Sequence, residues 1–156
     1  MKKLLVVIMI LVLSVSFAFA EDMDVKKMDA GLRGGLRSGI TGRLFMNEGA
    51  KSIEALLTYR RGIIITGLYE WQKPLSIGEI EGLSWYFGAG AHIGLTSWWT
   101  SALAIGIDGI VGVEYDLKPL INFPLSVSLD YKPGFDILGG WAGTFADFAF
   151  SVRYAF

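Results

Sequence analysis

Phe148-Ala149-Phe150-Ser151-Val152-Arg153-Tyr154-Ala155-Phe156 closes the chain, and its alternation decides the fold. Phe148, Phe150, Val152, Tyr154 and Phe156 fall on one face of a strand, and Ala149, Ser151, Arg153 and Ala155 on the other. Residues two apart share a strand face, so one face is large and apolar while its reverse is small or polar. In a soluble sandwich the apolar face would meet a core. In a membrane barrel it would meet lipid, with the polar face turned to the barrel interior. The stretch runs to its last aromatic without a polar tail, whereas strand ends in water tend to fray.

This terminal strand resembles that of bacterial outer-membrane β-barrels, which end in alternating apolar residues and a final Phe read by the barrel-assembly machinery. Phe156, Tyr154, Val152, Phe150 and Phe148 match that assembly signal at every alternate position. The resemblance implies a small barrel of the OmpA/OmpX type, located in the outer membrane, with its C-terminus on the periplasmic side.

The rest of the chain supports the same reading independently. At 156 residues it suggests one domain. The 20 glycines and 13% aromatics suit strands with close turns and bulges better than a helical bundle. The absence of Cys excludes a disulfide framework, a thiolate metal site and a lipid anchor on Cys. Met1-Lys2-Lys3, the apolar run Leu4–Leu13 and the small residues of Ala18-Phe19-Ala20 predict a secretory signal over 1–20, removed after export. The rival is an anchoring helix, but the apolar run is near the lower limit for a span. Losing Lys2 and Lys3 leaves 12 basic against 15 acidic residues, a net charge of −3. An acidic chain without a basic run argues against nucleic-acid partners.

Residues 21–29 read as a polar N-terminal segment outside the barrel, which is expected over 30–156. Alternation then recurs along the chain. Leu32, Leu36, Ile40, Leu44 and Met46 oppose Arg33, Arg37, Thr41 and Arg43. Ile53, Ala55, Leu57 and Tyr59 oppose Glu54, Thr58 and Arg60. Ile63, Ile65, Gly67, Tyr69 and Trp71 oppose Thr66, Glu70 and Gln72. Leu83, Trp85, Phe87, Ala89, Ala91, Ile93 and Leu95 oppose Ser84, Tyr86, Gly88, Gly90, His92 and Gly94. Leu103, Ile105, Ile107, Val111, Val113 and Tyr115 oppose Asp108, Glu114 and Asp116. Leu125, Val127, Leu129, Tyr131 and Phe135 oppose Ser126, Ser128, Asp130, Lys132 and Asp136.

Single-chain barrels of this kind have even strand numbers. The long stretch Gly31–Met46 exceeds the ~9–11 residues a spanning strand needs. It is therefore expected to hold two strands with a tight turn near Arg37-Ser38-Gly39; the rival is one long strand with the eighth drawn from 22–29. With the C-terminus periplasmic, connections 138–144, 96–101 and 60–62 face outside, and 116–123, 73–82 and 47–50 face the periplasm. Trp71, Trp85, Tyr115, Phe123, Tyr154 and Phe156 then gather at the periplasmic end. Tyr59, Trp98, Trp99, Phe135, Trp141 and Phe145 gather at the other, as interfacial girdles do.

Eight strands enclose a space that side chains just fill. The inward faces supply Arg33, Arg37, Arg43, Arg60, Lys132 and Arg153 against Glu54, Glu70, Asp108, Glu114, Asp130 and Asp147. Arginine on the lipid face costs about 2–4 kcal/mol near the midplane, so these groups belong inside. A network of both signs plugs the lumen; a small ion path or ligand pocket is the alternative. The inward glycines, Gly88, Gly90, Gly94, Gly106 and Gly112, are expected to make room for long side chains across the lumen and to let strands bend.

His92 is the single histidine. The resemblance brings lipid-A deacylases and palmitoyl-transferases into view, which use a His with a Ser. A deacylase of this kind carries His-x-Ser, where this chain has His92-Ile93-Gly94, and Ser97 lies five residues on. His92 as a catalytic residue is thus the alternative to a lumen histidine held in the ion network. One His and no Cys speak against a metal site, and no cofactor is expected.

The sequence therefore predicts an all-β fold, an eight-stranded antiparallel transmembrane up-and-down β-barrel, monomeric in outer-membrane lipid. Its expected role is structural or in cell-surface interaction, without catalysis. The alternatives are a lipid-modifying enzyme using His92, and an exported soluble barrel binding a small apolar ligand, which needs the apolar face buried and the polar face exposed.

Overall fold

The computed structural model describes residues 27–46, 49–59, 62–78, 80–96, 103–139 and 144–156. The expected signal segment 1–20, residues 21–26, Arg60, Trp98, Trp99, Trp141 and the Phe145 side chain lie outside the described residues.

Eight strands follow one another: β1 (Lys27–Gly35), β2 (Ser38–Met46), β3 (Lys51–Tyr59), β4 (Gly62–Pro74), β5 (Leu83–Thr96), β6 (Leu103–Asp116), β7 (Leu125–Leu138) and β8 (Thr144–Ala155). A single helical turn, α1 (Lys118–Ile121), joins β6 to β7. Each strand pairs antiparallel with the next, and β8 pairs with β1 from Asp29↔Ala155 to Gly35↔Ala149, which closes the sheet. Closure satisfies every edge, so the C-terminal strand and the first described strand complete each other's hydrogen bonding.

The stretch 31–46 divides into two strands, as expected, but the turn is Leu36-Arg37, ahead of the position read from the sequence. Ser38 and Gly39 already belong to β2. Gly39 sits in the ladder between Arg33 and Thr58, where a Cβ would fall 1.9 Å from the Leu57 carbonyl oxygen. Its glycine serves close approach between strands, not the turn. The barrel also begins earlier than residue 30: Lys27, Met28 and Asp29 are paired with Phe45, Leu44 and Arg43. The polar look of the 21–29 segment came partly from Asp29, which is an inward residue of β1.

Alternation sorts the side chains between two surfaces. Leu32 is 69% exposed and its neighbour Arg33 2%; Phe148 is 58% exposed and Asp147 0%. The outer surface carries Ile63, Ile65, Phe87, Ile93, Ile107, Val111, Leu129 and Phe150, while Thr41, Glu54, Thr66, Glu70, Asp108 and Arg153 are buried inside. This is the inverse of a water-soluble globule, in which unpaired apolar surface is removed from solvent. The arrangement required by a soluble apolar-ligand barrel, greasy inside and polar outside, is not the one observed.

Candidate functional site

Every charged side chain in the lumen is there because strand parity sends it there, and each must then find a partner away from water. At the end of the barrel that carries the chain terminus, Arg43 of β2 donates to Asp29 Oδ2 at 2.6 Å and also to the Glu114 carboxylate across the lumen. Arg153 of β8 reaches Glu54 Oε1 on β3 at 2.8 Å, Ser128 Oγ at 2.7 Å and Glu114 Oε2 at 3.3 Å. Thr41 Oγ1 donates to Glu54 Oε1 and accepts from Arg153 Nε. Gln72 donates to Glu114, and Ser52 to Glu70 Oε2 at 3.0 Å.

Midway, Arg33 grips Asp130 with both terminal nitrogens, at 2.7 and 2.6 Å, and touches Asp147 Oδ2 at 3.5 Å. This fork-on-fork geometry fixes direction as well as distance. The Arg37 backbone N–H donates to Asp147 Oδ1 at 3.2 Å, and the Tyr86 hydroxyl donates to Asp130 Oδ2 at 3.3 Å. Toward the other end, Lys132 Nζ donates to Asp108 Oδ1 at 2.7 Å. His92 lies between two carboxylates, with Nδ1 2.7 Å from Asp108 Oδ2 and Nε2 2.8 Å from Asp136 Oδ1.

Three of the ties join strands that are not neighbours: β1 to β7 through Arg33, β2 to β6 through Arg43, and β3 to β8 through Arg153. A guanidinium arm must cross the lumen to do this, and all three arginines are fully enclosed. Of the inward charges read from the sequence, Arg33, Arg37, Arg43, Lys132, Arg153, Glu54, Glu70, Asp108, Glu114, Asp130 and Asp147 are all buried; Arg60 lies outside the described residues. Two further carboxylates, Asp29 and Asp136, belong to the network. The sequence alone puts Asp29 in the polar segment 21–29 and Asp136 on an inward face, outside the charge network. Pairing of 29 with 155 and the parity of 132, 134 and 136 are the signals that find them.

A second missed feature is apolar. Leu56, Leu68, Tyr86 and Ile110 form a buried cluster on β3 to β6. Alternation already places Tyr86 inward with Ser84 and His92; for Leu56, Leu68 and Ile110 the outward neighbours are apolar or glycine, so no contrast marks them. The inward glycines fit between such bulky groups. A Cβ on Gly106 would lie 2.4 Å from His92 Cε1, and one on Gly112 would lie 2.6 Å from Tyr86 Cζ. They clear space for the side chain of the adjoining strand rather than for one across the lumen.

No protein-family model and no curated protein matches the chain. Among solved structures, the crystal structure of Neisserial surface protein A (NspA) aligns with a TM-score of 0.53 at 13% identity, over 83% of this chain and 95% of that one. In fold, the chain is similar to an outer-membrane barrel of eight strands. At this identity the likeness concerns architecture alone.

Proposed function

We propose that the chain spans the bacterial outer membrane as a monomeric barrel with an ion-plugged lumen, serving a structural or cell-surface interaction role without chemistry of its own. One observation carries this reading: the polarity of the wall is inverted, with aliphatic and aromatic side chains outside and charges within. Only a bilayer core makes that arrangement favourable around a whole circumference, because closed barrels leave no backbone group unpaired in lipid. The outward placement of Phe148, Phe150, Tyr154 and Phe156 supports their use as the signal read during assembly. In this reading the terminus-bearing end faces the periplasm, and a 1–20 signal directs export.

The arginine arms that cross the lumen favour a plug over an ion path. His92 belongs to the plug as well: both ring nitrogens are engaged by carboxylates, so neither is positioned to activate a nucleophile. Fractionation of cells expressing the processed chain tests the membrane reading. It is expected in the outer-membrane fraction, extractable only with detergent. A compact monomer stable in aqueous buffer would overturn it. In planar bilayers no steady open pore is expected.

A further inference from the structure

At the terminus-bearing end, the outer faces of β3, β4 and β5 assemble an aromatic platform edged by two lysines. Trp71 stacks on Phe87 with ring centroids 5.6 Å apart, Trp85 stacks on Phe87 at 5.2 Å, and Tyr69 meets Trp71 edge-on at 4.9 Å. Register puts Lys51 directly opposite Trp71 and Lys73 directly opposite Trp85. All six positions are outward by parity, since Ser52, Glu70 and Tyr86 between them are buried. Lys51 and Lys73 are therefore diagonal cross-strand neighbours, a spacing of about 7–8 Å in an antiparallel pair. Among the described residues neither has an ion-pair partner.

Two like charges at that spacing repel, and an anion between them relieves the repulsion. The compact ammonium of lysine suits a phosphate as a point charge. Stacked indole and phenyl rings suit the boundary where headgroups meet acyl chains. We propose that this corner binds the headgroup of an anionic phospholipid, its phosphate between Lys51 and Lys73 and its acyl chains along Trp71, Phe87 and Trp85. A zwitterionic headgroup brings its own ammonium to the same place and is held less well. The inference rests on the reading that the barrel spans a membrane, and it identifies the lipid class that the wall selects.

The test uses the processed full-length chain folded into vesicles of phosphatidylcholine alone or mixed equally with phosphatidylglycerol. Tryptophan quenching is compared for brominated phosphatidylglycerol and brominated phosphatidylcholine. The expected result is stronger quenching by the anionic lipid, an excess that falls with added salt. That excess is lost in K51Q/K73Q, lost in W71F/W85F, and retained in K51R/K73R. Equal quenching by both lipids in the unaltered chain, or an excess that survives K51Q/K73Q, overturns the site. Should K51Q/K73Q fail to fold, the comparison of the two lipids on the unaltered chain and on W71F/W85F still decides. Failure of the unaltered chain to enter either kind of vesicle would instead overturn the membrane reading itself.

Discussion

Two parts of the lumen are equally buried and held together by opposite means. The patch of Leu56, Leu68 and Ile110 is stable without partners, because removing apolar surface from water is itself favourable. Across from it, Arg33 and Arg153 are stable only in company: each sits against carboxylates at 2.6 to 2.8 Å. Tyr86 belongs to both. Its ring packs in the apolar cluster and faces the Arg43 guanidinium at 5.8 Å, while its hydroxyl donates to Asp130. The contrast teaches that the apolar patch sets volume while the ion network sets which strands face which. A buried ion pair adds little net stability over an apolar pair of the same shape, yet breaking one is costly.

Substitutions that strike one part and spare the other test this division, with unfolding midpoints in detergent as the common measure. The largest loss is expected for Arg153→Ala, which leaves Glu54 enclosed without its guanidinium and Glu114 with Arg43 alone: about 3–5 kcal/mol. Leu68→Ala empties part of the apolar patch and is expected to cost about 2–5 kcal/mol, according to how far the wall collapses. Gly112→Ala sets a methyl 2.6 Å from Tyr86 Cζ and 2.8 Å from Asp130 Cβ, at the seam between the two parts; overpacking there costs about 1–3 kcal/mol. Tyr86→Phe keeps the ring and removes one hydrogen bond, for a loss of about 0.5–1.5 kcal/mol. The smallest change is expected from replacing both Arg153 and Glu54 by Leu, which removes the buried pair together and is close to neutral. A double variant as damaged as Arg153→Ala alone would show that the network supplies stability and not only register.

Much of the barrel was legible in the chain because strand parity is rigid. Once Arg33 or Asp147 must face inward, every second residue of the same strand follows, and Leu32 or Phe148 is committed to the outer wall. The division of 31–46 into two strands was legible from the length a strand can span. Its turn includes Arg37 as expected but not Gly39, which looks like a turn residue; only the approach of the Leu57 carbonyl reveals why a side chain is excluded there. The start of β1 is not legible in the chain because Lys27-Met28-Asp29 has no contrast of its own; pairing with Phe45, Leu44 and Arg43 supplies it.

The candidate site divides in the same way. Which residues enter the lumen follows from alternation, a property of the chain read two residues at a time. Which of them meet does not. Arg33 and Asp130 are 97 residues apart in sequence, and Arg153 and Glu54 are 99 apart. Nothing local distinguishes Asp130 from Asp147 or Asp136 as the partner of a given cation. By itself the sequence determined the sidedness of most strand residues, because a charge near the bilayer midplane is costly and alternation has a period of two; at the register shift between β6 and β7, Ile137 and Leu138 are both exposed. Only the closed tertiary structure decided the pairing, because register around eight strands fixes the height of each side chain and thus which opposite charges lie within an arm's reach.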